Sequence, residues 1–276
     1  MIGKRRIIFW VLVMGFFLST AASAGDLDRF AGEAGRIRIA GGTAHIPVMK
    51  AVAVRIMRRY PDIHISIAGG GSGVGIKQVG EGLIDIGNSG RKPKKKEIAR
   101  YGLKMFKWSV DGVGVVVHPA NPVRSLSSEQ IRAIFAGTIT RWQAVGGPNA
   151  PIHLYTRDES SGTRAVFWKK ALNKGPMAGH ANVVVSNGAM KAAVSQDPFA
   201  VGYVSVGHMD DSVAGVSLDG MAPTLENIRS GRYPVARGLY SNTRGEPAGL
   251  VKKFIDYLFS ADGQALVARH GLVPVR

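Results

Sequence analysis

An α/β fold with mainly parallel sheets is what this 276-residue chain predicts, and two patterns carry the prediction. Short apolar strand segments alternate with helical spacings, the order that produces parallel strands covered by helices. Glycine is also abundant, at 36 residues, or about 13 % against an average near 7 %, and much of it stands where a strand hands over to a helix. Hydrophobic residues make up 45 % and charged residues 20 %, which excludes wholesale disorder. The length allows one large domain or two modest ones with their own cores. The absence of cysteine excludes disulfide frameworks, thiolate metal sites, thiol nucleophiles and a lipid anchor on an N-terminal cysteine. A formal charge of +17 points to an anionic partner without naming it.

At the start of the chain, Lys4, Arg5 and Arg6 precede an apolar run from Ile7 to Leu18 and the small-residue segment Ala22-Ser23-Ala24. This order predicts a secretory signal over residues 1–24, cleaved between Ala24 and Gly25. The rival, a membrane anchor, is disfavoured because twelve helical residues reach only about 18 Å, short of a hydrocarbon core of about 30 Å. Three basic and no acidic residues lie in this segment, so the remaining chain keeps a charge of +14. The expected product is soluble, in a periplasm or a secreted space.

Arg36-Ile37-Arg38-Ile39 alternates as a half-buried strand and runs into Ala40-Gly41-Gly42-Thr43. Met49, Val52, Ala53, Ile56, Met57 and Tyr60 follow at the three-and-four spacing of a helix that stops before Pro61. The next unit is a strand His64–Ala68, a glycine run Gly69–Gly75 and a short helix through Ile76 and Val79. A third strand is predicted over Leu83–Gly87, leading to Asn88-Ser89-Gly90-Arg91 and a lysine cluster. Val113–His118 reads as a continuous apolar strand, followed by a boundary at Asn121-Pro122 and a helix near Glu129–Phe135. After the turn Gly146-Gly147-Pro148 come a strand Ile152–Thr156 and a helix that opens at Arg157–Arg164 and uses Val166, Phe167 and Leu172. Gly202–Val206 is another strand, and Leu250, Phe254, Ile255, Leu258 and Phe259 mark a C-terminal helix with a last short one after Gly263.

Thr43, Ser72 and the triplet Ser161-Gly162-Thr163 share one arrangement: a strand ends, small residues turn, and a hydroxyl sits at the head of a helix. Serine and threonine there cap helices by accepting from a free N–H. The same place also makes an anion site, because free N–H groups, the positive end of the helix dipole and a hydroxyl donor converge. Three such starts, with Arg157 four residues before Ser161, fit a tetrahedral oxyanion gripped from several sides, since a guanidinium offers two parallel charge-assisted bonds.

With these motifs the chain resembles the periplasmic phosphate-binding component of the phosphate-specific ABC transporter. The resemblance is carried by Ala40–Thr43, Gly69–Gly75, Asp85–Ser89, Ile134–Trp142, Arg157–Arg164, Gly202–Ser205, Tyr233–Arg237, Phe254–Leu258 and Gly271–Pro274. It implies a two-lobed type II periplasmic binding protein, each lobe a mainly parallel sheet flanked by helices, with two crossover strands near Val113–Val117 and Tyr233–Leu239 forming the hinge. The implied lobes are 25–116 plus 236–276 and 117–235, with the ligand in the cleft between them. Position by position, the resemblance implies that Thr43, the Ala44 N–H and Ser72 bind from the first lobe. Arg157, Ser161, the Gly162 N–H and Thr163 bind from the second, and Glu159 orients the arginine. The implied function is capture of inorganic phosphate and its delivery to a membrane ABC permease by a receptor that is no enzyme, acts as a monomer and needs no metal or cofactor.

One position departs from the family. A carboxylate that accepts the proton of hydrogen phosphate is replaced by Gly90. A buried P–OH without an acceptor costs about 1–3 kcal/mol, and sulfate would not suffer that loss. Asp111 or a backbone carbonyl could stand in, the site could be less selective, or the ligand could be sulfate or another oxyanion.

Arg91, Lys92, Lys94, Lys95 and Lys96 read either as a solvated helix start or as a field that draws anions to the cleft. Without interleaved aromatics they do not suggest nucleic-acid binding. The seven histidines, at 45, 64, 118, 153, 180, 208 and 270, never cluster in sequence. They read as surface or packing residues. An exported serine hydrolase or phosphatase built on Ser72 or Ser161 is the enzyme rival, and no general base stands at a diagnostic spacing for it.

Overall fold

The computed structural model describes residues 25–275, so the expected export segment 1–24 lies outside the described residues. The elements in chain order are β1 (Gly35–Gly41), α1 (Ile46–Arg59), β2 (Ile63–Gly70), α2 (Gly71–Gly80), β3 (Ile86–Ser89) and α3 (Lys95–Tyr101). They continue as β4 (Leu103–Val117), β5 (Ser125–Leu126), α4 (Ser128–Ala136), β6 (His153–Arg157), α5 (Gly162–Lys170), β7 (Asn182–Val184) and α6 (Asn187–Gln196). The last are β8 (Ala200–Ser205), β9 (Ala214–Leu218), α7 (Leu225–Arg229), β10 (Ala236–Arg244), α8 (Gly249–Leu258), α9 (Ala261–Arg269) and β11 (Val273–Pro274).

The main strand order is β2-β1-β3-β10-β4-β8-β6-β7. On one flank β1 pairs with β2 and β3 in parallel, and on the other β6 pairs with β7 and β8 in parallel. These are the parallel units that the alternation of strand and helix predicted. Between the flanks, β10 is antiparallel to β3 and β4, and β4 is antiparallel to β8. The centre of the sheet is thus made by two long strands that carry the chain from one flank to the other.

Two hydrophobic clusters lie on either side of that crossing. The first gathers Ile37 and Ile39 of β1, the buried face of α1, Trp108, Leu239 and residues of α8 and α9. Helix α1 buries Val48, Met49, Val52, Ala53 and Ile56, the spacing that predicted it. The second gathers Val113, Val115 and Val117 with Phe135, Phe167, Tyr203 and Tyr233. Tyr203 stacks on Phe167 at 4.2 Å, and Phe135 meets Phe167 edge-on at 4.8 Å. On β4 the change of side falls between Trp108 and Val110: Val110, Val113 and Val115 pack with the second cluster, as does Val273 near the C-terminus.

Other segments depart from the sequence reading for identifiable reasons. The strand expected over Leu83–Gly87 begins only at Ile86, because pairing with β1 starts at Ile39 opposite Ile86. Leu83 is exposed, and Asp85 is drawn aside to accept from the Arg38 amide at 2.7 Å and from its guanidinium. The strand expected over Val113–His118 is the apolar end of the 15-residue β4, whose first half mixes exposed, half-buried and buried positions. The last helix begins at Ala261, before Gly263, because Ser260 caps it by accepting from the Gly263 amide at 3.2 Å.

Helix α2 lies on the ends of β1 and β3 at a distance that only glycine permits. A Cβ on Gly75 would stand 2.7 Å from the Asn88 carbonyl oxygen, 2.8 Å from that of Ala40 and 2.9 Å from the Gly41 Cα. All three are backbone atoms, so no side chain can swing away. Gly75→Ala is expected to lower stability by about 1–3 kcal/mol, read as a shift of the urea midpoint at unchanged slope.

Candidate functional site

The site begins where β1 ends. Gly42 donates to the Asn88 carbonyl of β3 at 2.8 Å, and the chain turns through one 3₁₀ turn, Thr43–His45, into α1. Thr43 is buried there. Its hydroxyl oxygen accepts from the Asn187 side-chain amide at 3.0 Å and from the Asn187 backbone N–H at 3.2 Å, and both come from the first residue of α6. The Thr43 carbonyl accepts from His208 Nε2 at 3.1 Å. Ser72, in the first turn of α2, accepts from the Gly90 N–H at 2.9 Å. Neither Thr43 nor Ser72 caps its helix through the side chain.

The second cluster contributes β6, its loop and α5. Ser161 does cap α5, accepting from the Arg164 N–H at 3.2 Å. Arg157 ends β6 with its side chain 1 % exposed. Its Nε donates to the Val184 carbonyl at 2.9 Å and its Nη2 to that of Val185 at 3.0 Å, while Nη1 has no protein partner. Its backbone N–H donates to the Tyr203 hydroxyl at 3.1 Å, which ties it to the aromatic stack. Burial holds the Arg157 guanidinium below its ordinary pKa against the pull of Asp158. The nearest carboxylate contact recorded for it is that one, at 4.0 Å, on a partly exposed side chain. Glu159, expected to orient this arginine, is exposed; the orientation comes from the two carbonyls at the end of β7.

The two sides meet around one small, tightly closed cavity. It is lined by Gly42, Thr43, Ala44, Gly71, Ser72 and Gly90 from the first side, by Arg157, Ser161, Gly162 and Thr163 from the second, and by Arg237. All seven residues that the sequence singled out line it together. The two sides also bond each other beside it: Ser160 donates to the Gly70 carbonyl at 2.7 Å and its carbonyl accepts from the Gly73 N–H at 2.9 Å. Gly162 sits so close to Ser72 that a Cβ there would fall 2.1 Å from its Oγ. The N-terminal ends of α2 and α5 therefore face one enclosed space, and the positive ends of their dipoles add there.

Sequence reasoning missed Arg237 and Asn187 in this constellation and gave Asp111 a different role. Arg237 on β10 donates through Nε to Asp111 Oδ2 at 2.9 Å and through Nη1 to the Thr163 hydroxyl at 3.0 Å. Its Nη2 lies 2.8 Å from the same Asp111 oxygen as an ion-pair contact outside hydrogen-bond alignment. Asp111 is 1 % exposed and also accepts from Ser205 at 2.9 Å. As a stand-in acceptor for the ligand proton it is out of place, because it lies behind Arg237 and does not line the cavity. Asn187 holds Thr43 from α6, a helix whose signal was present in the Ser186 cap and the pair Met190 and Val194. Arg237 and Asp111 stand opposite each other on β10 and β4, about 125 residues apart, so nothing local announces them.

Under the Thr43 turn lies His45, fully buried, with no hydrogen-bond partner on either ring nitrogen. Burial, and then the charge of Arg237, push its pKa down from 6.5 to about 3. Native His45 thus stays neutral while an unfolded chain takes up a proton below about pH 6.5. Stability is unaffected above that pH and falls as pH drops from about 6.5 towards 3, at up to about 1.4 kcal/mol per pH unit from this residue. Urea titrations at pH 7.5 and 4.5 are expected to show a smaller acid loss for His45→Phe than for the parent chain.

Comparison with known proteins places this cavity in context. Residues 28–262 match the model of the PBP superfamily domain. The chain is 35 % identical to the phosphate-binding protein PstS of Bacillus subtilis over 286 aligned positions, covering 99 % of this chain and 95 % of that one. It is 28 % identical to PstS of Borreliella burgdorferi, covering 87 % and 90 %. Among solved structures, a phosphate ABC transporter substrate-binding protein with bound phosphate from Clostridium perfringens superposes with a TM-score of 0.82 at 34 % identity, covering 88 % of this chain and all of that one. An ABC-type phosphate transport receptor from Vibrio cholerae follows at 0.70 and 32 %, covering 86 % and 99 %.

Proposed function

The chain belongs to the PBP superfamily and, within it, to the PstS phosphate-binding proteins, and from that membership we propose that it captures inorganic phosphate in the cavity between its two hydrophobic clusters and delivers it to a membrane ABC permease. The observation that carries this reading is the buried Arg157 guanidinium, whose Nη1 has no protein partner in a cavity edged by four hydroxyls. A buried cation without a counter-charge is costly, of the order of several kcal/mol. An oxyanion in the cavity removes that cost and receives a charge-assisted bond in return.

The binding set is Thr43, the Ala44 N–H and Ser72 from one side, and Arg157, Ser161, the Gly162 N–H and Thr163 from the other. Because both sides contribute, the anion stabilises their approach over their separation, and β4 and β10 are the strands about which they part. The lobes correspond approximately to 25–116 plus 236–276 and 117–235. The protein acts as an exported monomer, in the periplasm or outside the cell, after loss of residues 1–24. It turns nothing over: the recorded bonds of Ser72 and Ser161 are from backbone N–H groups, which supports hydroxyls that donate to a ligand over hydroxyls activated by a base.

Titration calorimetry with phosphate tests the reading. The parent chain is expected to bind one equivalent. Arg157→Ala is expected to lose at least about 30-fold in affinity, the effect of truncating one partner of a buried charged pair, while its circular dichroism spectrum is kept. Equal affinity for phosphate in the two proteins contradicts the proposed site.

A further inference from the structure

The cavity offers its ligand hydrogen-bond donors and no carboxylate. Its lining contains two guanidiniums, four hydroxyls and glycine or alanine backbone, with no acidic side chain among the lining residues. Each hydroxyl oxygen already accepts from the protein: Thr43 from Asn187 twice, Ser72 from Gly90, Ser161 from Arg164, and Thr163 from Arg237. A hydroxyl that accepts in this way has its own proton free to donate. The carboxylate closest to hand, Asp111, is taken up by Arg237 and Ser205.

Gly90 and Arg237 belong to one arrangement. A Cβ on Gly90 would lie 2.7 Å from Arg237 Nη1 and 3.0 Å from its Cζ, and Arg237 Nη1 also donates to the Gly90 carbonyl at 3.3 Å. The space that a side chain at position 90 would fill is occupied by a guanidinium. Arg157 and Arg237 are both buried, while among the described residues only one fully buried carboxylate, Asp111, neutralises them.

Resting on the phosphate-binding reading above, we propose that Arg237 is a second ligand-binding cation and that this carboxylate-free cavity selects by the charge and shape of a tetrahedral dianion rather than by the ligand's proton, so that it takes sulfate as well as hydrogen phosphate. The proton of hydrogen phosphate finds at best a neutral hydroxyl lone pair, and a sulfate oxygen in the same place meets no negative group. The site therefore lacks the unfavourable contact that separates the two anions when a carboxylate faces the ligand.

Calorimetry of the parent chain with sulfate and with phosphate, at one pH and one ionic strength, tests this without any substitution. Sulfate is expected to bind within about a hundredfold of phosphate, the range that one imperfectly paired buried group spans. Phosphate binding with sulfate more than about a hundredfold weaker overturns the inference and leaves the phosphate reading standing. Failure of phosphate itself to bind overturns that reading instead.

A second arm tests the role of Arg237. Arg237→Met alone would strand Asp111, so it is combined with Asp111→Asn, and folding is checked by a cooperative melt. The double variant is expected to lose at least about tenfold in affinity for both anions, in nearly equal proportion. Unchanged affinities would assign Arg237 to the hinge alone and overturn its place in the site.

Discussion

The organisation of this protein depends on a buried charge imbalance. Arg157 and Arg237 are both withdrawn from water, and among the described residues Asp111 is the single fully buried carboxylate that answers them. Removing a charge from water costs several kcal/mol even after relaxation, and a paired ion recovers that cost only with good geometry and further hydrogen bonds. Arg237 has both, through Asp111 and Thr163. Arg157 has two carbonyls that orient it and one nitrogen left over. Its remaining requirement is negative charge, which the proposed anion would supply.

The scaffold accounts for how the imbalance is held. Arg237 faces Asp111 in the register of β10 and β4, the strands on which the chain passes between the clusters. Opposite charges directly across an antiparallel pair are favourable even on a surface; here the pair is buried at the crossing itself. From that point Arg237 reaches Gly90 on one side and Thr163 on the other, so a single side chain reports on the relative position of both sides. Arg157 is placed by the second cluster, through the Tyr203 hydroxyl and the ring stacked on Phe167. The first side is placed by backbone contact, since α2 rests on β1 and β3 at Gly75 with no side chain between them.

What could be read in the sequence was whatever is local in the chain. Thr43, Ser72, Arg157 and Ser161–Thr163 all sit at strand-to-helix junctions, where residue type and spacing carry meaning, and the structure brings all of them to one cavity. The parallel flanks followed from the alternation of strand and helix, and α1 from its apolar spacing. What escaped is contributed from a distance. Arg237 lies in an alternating strand, where an arginine reads as solvent-facing, and its burial depends on Asp111 some 125 residues earlier. Glu159 shows the opposite error: the family resemblance implied that it orients Arg157, while carbonyls nearly thirty residues later do the orienting. The antiparallel centre of the sheet was equally invisible, because strand direction is decided by which strands cross and no local pattern encodes that.

The high positive charge divides by position into two physical roles. Only the two buried arginines line the cavity, so their field acts where water does not screen it. Arg91 is engaged by Glu97 through two bonds of 2.8 Å at the start of α3, whereas Lys92, Lys94, Lys95 and Lys96 are exposed. Arg91, Lys92 and Lys94 edge a groove of about 520 Å³ whose opposite wall carries Lys169 and Lys170 of α5 and which also includes Arg237. Exposed charges of this kind act over about a Debye length, near 8 Å at physiological ionic strength, and weaken with salt. They can raise the local concentration of any small anion without distinguishing one from another. Discrimination must then come from the enclosed donors, whose directions are already set by Asn187, Gly90, Arg164 and Arg237 before a ligand arrives. Groups held in place by partners need not be ordered on binding, and that preorganisation lets a cavity with room for only a few atoms hold an anion against the water it left.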